Sequence, residues 1–221
     1  ITVLMALNIL ENFEEINLHF QIESLKLAFA DTKKYVADIK YMQTSIKEML
    51  SQEYSKKRAK LISINKTLQP KENIFSSGDT VYLATADKDG NMVSFIQSNY
   101  TAFGSGIVIP KTGIALHNRG ANFSLDRKSD NFIAPRKKPY HTIIPGFLCK
   151  DNKPIGAFGV MGAFMQPQGH LQILTNMIDE NLNPQSSLDK PRWQWVGEKT
   201  IEIENNFDNK IADKLSKLGH N

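Results

Sequence analysis

The stretch SSGDTVYLATADKDGNMVSFIQSN, residues 76–99, joins a small polar loop to two strand-like runs with a turn between them. Val81 and Leu83 supply the apolar positions of the first run, and Met92 and Phe95 supply those of the second. The dipeptide at 89–90, Asp-Gly, is typical of a tight hairpin turn because it accepts positive backbone angles. The stretch predicts a β-hairpin with Thr80 where the loop ends and the first strand begins.

The composition is that of an ordinary globular protein and favours a single domain. The chain has 221 residues, of which 41% are hydrophobic and 23% charged, enough to bury a core. It contains no apolar run of 18 residues, so no membrane span is expected. The net charge is +4, but the lysines are scattered among acidic residues. The two short basic clusters, 56–58 and 136–138, are typical of a solvated face, and nucleic acid is not expected as a partner.

Around the hairpin, the periodicity predicts helices before it and mostly strands after it. Apolar residues recur at helical spacing in 1–13, 18–38 and 44–62, and Ser45 with Glu48 has the spacing of a capping box. Residues 61–79 lose the periodicity and are predicted to be an exposed, flexible connector within reach of a protease or a self-cleavage reaction. Strands are expected in 105–116, 142–152, 153–162 and 200–204, and helices in 168–181 and 209–219. The chain therefore divides into a helical region, 1–79, and a strand-rich region, 80–221.

Signatures of bound cofactors are missing from the sequence. It contains no GxGxxG, Walker loop, HExxH or paired CxxC motif, so neither a cofactor nor a metal is predicted. The lone Cys149 excludes an internal disulfide, and its apolar setting favours a buried, inert thiol over a nucleophile. The histidines have no ligand-type spacing, and a Ser-His-Asp triad stays open without a nucleophile elbow to support it. They are His19, His117, His141, His170 and His220.

Thr80 is a candidate nucleophile. A threonine hydroxyl is a weak nucleophile, and it becomes effective at the start of a chain, where its own α-amino group acts as the base. That amine has a pKa of about 7.7–8, close enough to neutrality to accept a proton. Such a site requires cleavage of the peptide bond between Asp79 and Thr80. The alternative from the pattern alone is that Thr80 only opens a strand.

Residues 78–124 resemble the start of the small subunit of the γ-glutamyltranspeptidase family. Further stretches follow the order of that family: ESLKLAFADTKKYVAD before the hairpin, then APRKKPYHTIIPGFL, GAFGVMGAFMQPQGHLQILTNMID and DKPRW after it. The resemblance implies an α+β fold, in part a four-layer αββα sandwich of the N-terminal nucleophile hydrolase type. Relative to the family, most of the large subunit is missing before Ile1 and the final strand pair after Asn221. We therefore expect a fragment of a longer gene product.

The resemblance also implies roles for particular residues. Thr80 occupies the place of the threonine that cleaves the proenzyme after Asp79 and then serves as catalytic nucleophile. Ser98 matches a second hydroxyl that orients it, and Gly162 with Ala163 matches the glycine pair that stabilises the oxyanion. Substrate contacts are implied at Asn99, Arg119, Asn122, His141 and Thr142.

Several of these positions depart from the family pattern. Arg119 and Asn122 stand where the family has a glutamine and an aspartate for the substrate's ammonium, which is the wrong electrostatic sign for a γ-glutamyl amine. An arginine there favours an acyl group that ends in a carboxylate, with glutaryl as the simplest example. The alternative is that Arg119 turns away into a surface ion pair.

Three functions follow, with different partners. The first is a γ-glutamyltransferase-like amidohydrolase or acyltransferase, autoprocessed before Thr80, that acts on γ-glutamyl or related acyl amides. The second is a glutaryl-type acylase, and the third is a non-catalytic, unprocessed remnant. Expected partners are a small acyl amide and the remainder of the large subunit, with a homo-oligomer as an option. The compartment is left open between cytoplasmic and secreted.

Overall fold

A computed structural model describes residues 1–70 and 79–221, except for the side chain of Asp79. The chain folds as α+β, as predicted, with helices before the first strand and mixed elements after it. None of the described helices is long and apolar enough to cross a membrane. The helices are α1 (Thr2–Leu10), α2 (Leu18–Tyr35), α3 (Ile46–Met49), α4 (Gln52–Ala59), α5 (Met165–Ile178), α6 (Pro184–Asp189) and α7 (Asn209–Lys217). The strands are β1 (Asp79–Ala86), β2 (Met92–Tyr100), β3 (Gly146–Lys150), β4 (Lys153–Phe158), β5 (Trp193–Gly197) and β6 (Thr200–Ile203).

The main hydrophobic core lies between α1, α2, α5 and β5. Phe29 of α2 is fully buried, and its ring lies 5.9 Å from that of Trp195 on β5 and 6.1 Å from that of Phe164. Leu25 and Leu171 are also fully buried in this cluster. Burying side chains of this size contributes about 1.5–3 kcal/mol each. The helical region and the strand-rich region thus share one core.

Two glutamines of α5 complete the edge of β5. Gln168 accepts a hydrogen bond from the Trp195 amide at 2.7 Å and donates one to the Trp195 carbonyl at 3.0 Å. One helical turn later, Gln172 makes the same pair with Trp193, at 3.1 Å and 2.9 Å. Residues four apart lie on one face of a helix, so the two amides act together as a substitute for a neighbouring strand.

The described strands form three two-stranded antiparallel sheets, β1–β2, β3–β4 and β5–β6. The predicted hairpin at 79–100 is present, although only Gly90 of the Asp-Gly pair has a positive φ, at 84°. Asp87 closes the turn by accepting hydrogen bonds from the amides of Asp89 and Asn91, both at 2.9 Å. Large apolar side chains of the first two hairpins are exposed: Val81, Leu83, Val93, Phe95, Phe147 and Ile155.

Some local predictions were wrong. Residues 105–116 form no strand, and only an isolated bridge joins Val108 to Ala115, because three glycine and proline residues interrupt the segment. The helix expected over 44–62 is broken into α3 and α4, since Ser51 caps a second helix start with Tyr54 as donor at 3.2 Å. Cys149 is exposed, not buried, because β4 is the single partner of β3 among the described strands. The pattern also missed β5 and α6.

The connector predicted over 61–79 is described over residues 61–70, where Thr67 and Leu68 are tied to the rest of the fold. Thr67 is only 4% exposed, and its amide donates to the carbonyl of Leu218 at 2.8 Å. The Leu68 amide donates to the carboxylate of Glu23 at 2.6 Å. Most side chains of 61–70 are exposed, as predicted, and Thr67 is the buried exception within this described part. Residues 71–78 lie outside the described residues.

Candidate active site

Thr80 lies at an irregularity in the β1–β2 ladder. Thr80 faces Ser98, and the preceding pair joins Asp79 to Tyr100, so Asn99 has no residue opposite it. This is a β-bulge, which bends a strand and re-aims its side chains. The bulge falls across the peptide bond between Asp79 and Thr80. Thr80 is 9% exposed, and Ser98 Oγ accepts a hydrogen bond from the Tyr100 amide at 2.9 Å.

Asn118 holds the bulged end of β2. Its amide donates to the carbonyl of Asn99 at 3.1 Å, and its side-chain oxygen accepts from the Thr101 amide at 3.1 Å. Tyr100 has a φ of +81°, which a residue with a side chain seldom adopts. The backbone opposite Asp79 is thus strained, and Asn118 helps to hold it there.

The glycine-containing segment after β4 passes close to β1, the strand that carries Thr80. Tyr82 shares a face of β1 with Thr80, and a Cβ on Gly159 would lie 2.3 Å from the Tyr82 ring. Gly162 follows with a φ of +109°, and Ala163 with a φ of +49°. The carbonyls of these two residues accept from the first turn of α5. Within the described parts of the chain, no acceptor is found for their amides, which leaves two donors for an oxyanion.

Arg119 is buried, so the alternative of a surface ion pair is wrong. It is 2% exposed, and its guanidinium carbon lies 5.5 Å from the centre of the Tyr100 ring. Nη1 donates to Thr142 Oγ1 at 3.1 Å, while Nη2 is buried without a hydrogen-bond partner among the described residues. Burial lowers the pKa of Arg119 from its usual range. Burial also raises the pKa of Tyr100, and the charge of Arg119 and a contact with Asn122 oppose that rise.

The other predicted contact residues divide into two groups. Thr142 is buried and touches Arg119, and the Ile144 amide next to it donates to Gln166 at 2.9 Å. Asn122 ends the short 3₁₀ helix that carries Arg119, and its side chain contacts Tyr100. His141 is exposed and contacts the carbonyl of Pro139 instead of this group. No pattern in the sequence signals the contacts that Tyr100, Asn118 and Gln166 make here.

Two histidines that lie 201 positions apart in the chain meet inside the fold. His19 Nδ1 lies 2.9 Å from His220 Nε2, and His19 Nε2 lies 2.9 Å from the Ser63 carbonyl. Glu23 and Lys26 form a fully buried ion pair beside them, with N···O at 2.9 Å. We call these residues, together with Thr67, the histidine–glutamate cluster. Burial, then the charge of Lys26, then His19 lower the pKa of His220 from 6.5 to about 3.

The histidine–glutamate cluster has the donor atoms of a metal site, but these atoms are engaged in hydrogen bonds within the fold. Ligand atoms of His19, Glu23 and His220 lie within 4.8 Å of one another, which the sequence spacing did not predict. The same Glu23 oxygen, however, accepts from Lys26 Nζ and from Thr67 Oγ1, both at 2.9 Å. A cation would compete with this ammonium for one oxygen, so the donor set suits hydrogen bonds better than a metal.

Known proteins resemble the chain over its whole length. The sequence profile described as gamma-glutamyltranspeptidase matches residues 1–221. The chain belongs to the gamma-glutamyltranspeptidase family. It is 37% identical to the glutathione hydrolase-like YwrD proenzyme of Bacillus subtilis, over 99% of this chain and 44% of that protein. It is 33% identical to the oxamate amidohydrolase proenzyme of Klebsiella pneumoniae, over 92% and 39%.

A solved structure also matches this chain over nearly its whole length. The cephalosporin acylase from Bacillus halodurans matches with a TM-score of 0.91 and 53% identity, over 99% of this chain and 41% of that one. The chain thus spans less than half the length of these relatives. Its predicted N-terminal nucleophile hydrolase type is supported by these family relationships.

Cavities elsewhere in the fold do not coincide with the predicted site. One of about 290 Å³ lies between the start of α2, the end of α5 and β5, and none of the predicted site residues lines it. Trp193 and Phe207 are among its walls. The candidate site is therefore defined by Thr80 and the groups around it, not by a cavity.

Proposed function

We propose that the protein is a threonine amidohydrolase or acyltransferase of the gamma-glutamyltranspeptidase family, which cleaves γ-glutamyl or related acyl amides after autoprocessing before Thr80. The observation that carries the proposal is the position of Thr80 opposite Ser98, directly after a bulge at the Asp79–Thr80 bond. Relatives named as hydrolase and amidohydrolase proenzymes support it. In this proposal, 1–79 and 80–221 become separate polypeptides.

The first step is self-cleavage. Thr80 Oγ attacks the carbonyl carbon of Asp79, its proton passes to the departing amide nitrogen, and the acyl group moves from nitrogen to oxygen. Water then hydrolyses the resulting ester, which leaves Asp79 with a carboxylate and Thr80 with a free α-amine. The strained backbone at Tyr100 faces this bond, and ground-state strain of this kind favours its rearrangement.

The second step is turnover. The free α-amine of Thr80 takes the hydroxyl proton while Oγ attacks the amide carbonyl of the substrate. The amine product leaves with that proton, and water or another amine then resolves the acyl ester. Amides of Gly162 and Ala163 stabilise the oxyanion, and removal of one such donor costs about 2.7–4 kcal/mol. Ser98 orients Thr80.

The test uses the complete gene product and two threonines of the same strand. Thr80→Ala removes the hydroxyl needed for both steps, so we expect one uncut chain by mass spectrometry and no hydrolysis of acyl anilides. Thr85→Ala, an exposed position on β1, is the matched control and should be cut normally. Cleavage between residues 79 and 80 in the Thr80→Ala variant would contradict the proposal.

Two other functions make different predictions in the same experiment. An unprocessed remnant predicts one intact chain and no turnover for the unmodified protein as well. A glutaryl-type acylase predicts processing and a different acyl preference, and the buried Arg119 favours it over strict γ-glutamyl specificity. The small acyl amide, the remainder of the large-subunit region and a homo-oligomer stay proposals for its partners.

A further inference from the structure

Gln166 connects the start of α5 to the segment 140–144. Its side chain is fully buried, and Oε1 accepts a hydrogen bond from the Ile144 amide at 2.9 Å. Nε2 is buried and has no hydrogen-bond partner among the described residues. Burying an amide with one end unpaired costs free energy. What Gln166 contributes to the fold is therefore its hydrogen bond to Ile144.

The turn just before Gln166 carries the two proposed oxyanion donors and has an unusual backbone. Gly162 has a φ of +109°, and Ala163, which is 3% exposed, has a φ of +49°. A residue with a side chain keeps a positive φ only where its surroundings hold it there. Phe164, the cap residue of α5, makes no side-chain capping hydrogen bond. The conformation of the turn therefore depends on contacts with neighbouring segments.

Apolar contacts hold the chain on both sides of this turn. Before it, Val160 packs so closely on α5 that a Cβ on Gly169 would lie 2.7 Å from its Cγ1. After it, the ring of Phe164 stacks on that of Tyr140, with the ring centres 6.2 Å apart. A hydrogen bond fixes a direction as well as a distance, and the Gln166 side chain supplies one directly after the turn.

The segment that Gln166 contacts belongs to the surroundings of the nucleophile strand. Thr142, two residues before Ile144, accepts from Arg119 at 3.1 Å, and Arg119 faces the ring of Tyr100 on β2. Gln166 thus ties the turn to a segment that is itself fixed beside the hairpin. Oxyanion donors act only within about 2.7–3.1 Å of the developing charge, so a small displacement of the turn lowers the rate.

We propose that Gln166 is a positioning residue, which holds the turn at Gly162 and Ala163 against the segment 140–144 so that both amides point at the oxyanion. The inference rests on the proposed function, since it assigns a residue to the turnover step. Gln166 acts through the turn and does not touch the substrate. Its acceptor oxygen carries this role, because that atom makes the hydrogen bond to Ile144.

The first test compares the same substitution at two glutamines of α5. Gln166 and Gln168 are both fully buried and accept from backbone amides, those of Ile144 and Trp195. In the processed protein, Gln166→Leu should lower kcat for an acyl anilide about ten- to a hundredfold and change KM less than about threefold, as expected for an interaction that acts in the transition state. Gln168→Leu should lower stability but keep the kcat of the folded protein within about twofold. Equal losses of kcat would overturn the proposal.

Two further substitutions separate the acceptor oxygen from the rest of the side chain. Gln166→Glu keeps an oxygen that can accept from the Ile144 amide, and burial favours the neutral form of the new carboxyl group. Its kcat should stay within about threefold of the unmodified protein. Gln166→Asn is one methylene shorter and should lose kcat as Gln166→Leu does. If Gln166→Leu does not fold, these two variants decide the question, and equal kcat values for them would contradict the proposal.

The second test does not need turnover. Hydrogen exchange is measured on the complete gene product, because local opening of a turn speeds exchange of the amides near it. In Gln166→Leu, amides within 160–166 should exchange at least tenfold faster, whereas Gln168→Leu should act on 193–197 instead. If the unmodified protein hydrolyses no anilide, the proposed function is wrong, and exchange within 160–166 alone decides whether Gln166 holds the turn. Unchanged exchange there would disprove it.

Discussion

Thr80 and Ser98 lie directly opposite each other on β1 and β2, at the last regular pair before the bulge. The hairpin fixes the distance between their backbones, because facing residues of an antiparallel pair are held about 4.5–5.5 Å apart at Cα. The backbone ladder therefore presents two hydroxyl-bearing residues side by side. We therefore expect that the proposed orienting role of Ser98 can be tested without unfolding the protein.

Replacing Ser98 by alanine is expected to slow turnover ten- to a hundredfold and to leave the fold intact. One orienting hydrogen bond contributes about 1–3 kcal/mol, and the strand keeps its ladder without the hydroxyl. Rates with an acyl anilide and thermal unfolding of the same samples measure the two effects. Thr85→Ala on the facing strand serves as control. An unchanged rate would make Ser98 structural only.

Ala163→Gly is expected to leave both stability and activity nearly unchanged. Glycine relieves the cost of a φ of +49° but loses the burial of a methyl group, and each contribution is about 1 kcal/mol. The backbone amide that is proposed to stabilise the oxyanion is present in both residues. Ala163→Val, in contrast, places a branched residue in the left-handed region and should lower kcat by more than tenfold. Steady-state kinetics and denaturant unfolding compare the variants. Equal activity of the glycine and valine variants would argue against a conformational requirement here.

Gln168→Leu is expected to destabilise the fold by about 2–4 kcal/mol. Leucine is similar in size but leaves the amide and carbonyl of Trp195 buried without partners. Gln185→Leu on the surface helix α6 is the control, with an expected change within about 0.5 kcal/mol. Urea unfolding gives both values. A loss below 1 kcal/mol for Gln168→Leu would mean that β5 does not depend on the helix for its edge.

Stability should fall in mild acid because of His220. Its pKa is about 3 in the fold and about 6.5 when unfolded, so the unfolded chain binds more protons between these values. The contribution of His220 to the unfolding free energy is complete above pH 6.5 and is lost progressively as the pH falls towards 3. His220→Gln should flatten this part of the profile by up to a few kcal/mol. His141→Gln, at an exposed position, should not. Unfolding free energies from pH 7 to pH 4 test this, and identical slopes for the two variants would contradict it.

The hairpin, the long helices and the family were predictable from the sequence because they depend on local periodicity or on several motifs in order. The meeting of His19 with His220 was not, since no local pattern connects residues on α2 with the chain end. Cys149 was wrongly predicted to be buried because an apolar run is buried only if another element covers it, and β3 has one neighbour in the part of the chain that the structure describes. The burial of Arg119 was equally hidden, because it depends on Tyr100 and Thr142 from distant segments.

The same shared core gives autoprocessing a physical consequence. A cut before Thr80 would leave Phe29 and Glu23 on one polypeptide, and Trp195, Phe164 and His220 on the other. Folding before the cut is a unimolecular event, whereas reassembly after it would depend on the concentrations of two pieces that each lack half of their interior. The mature protein would then be kinetically stable: it would persist because it unfolds slowly, and not because its two polypeptides refold readily.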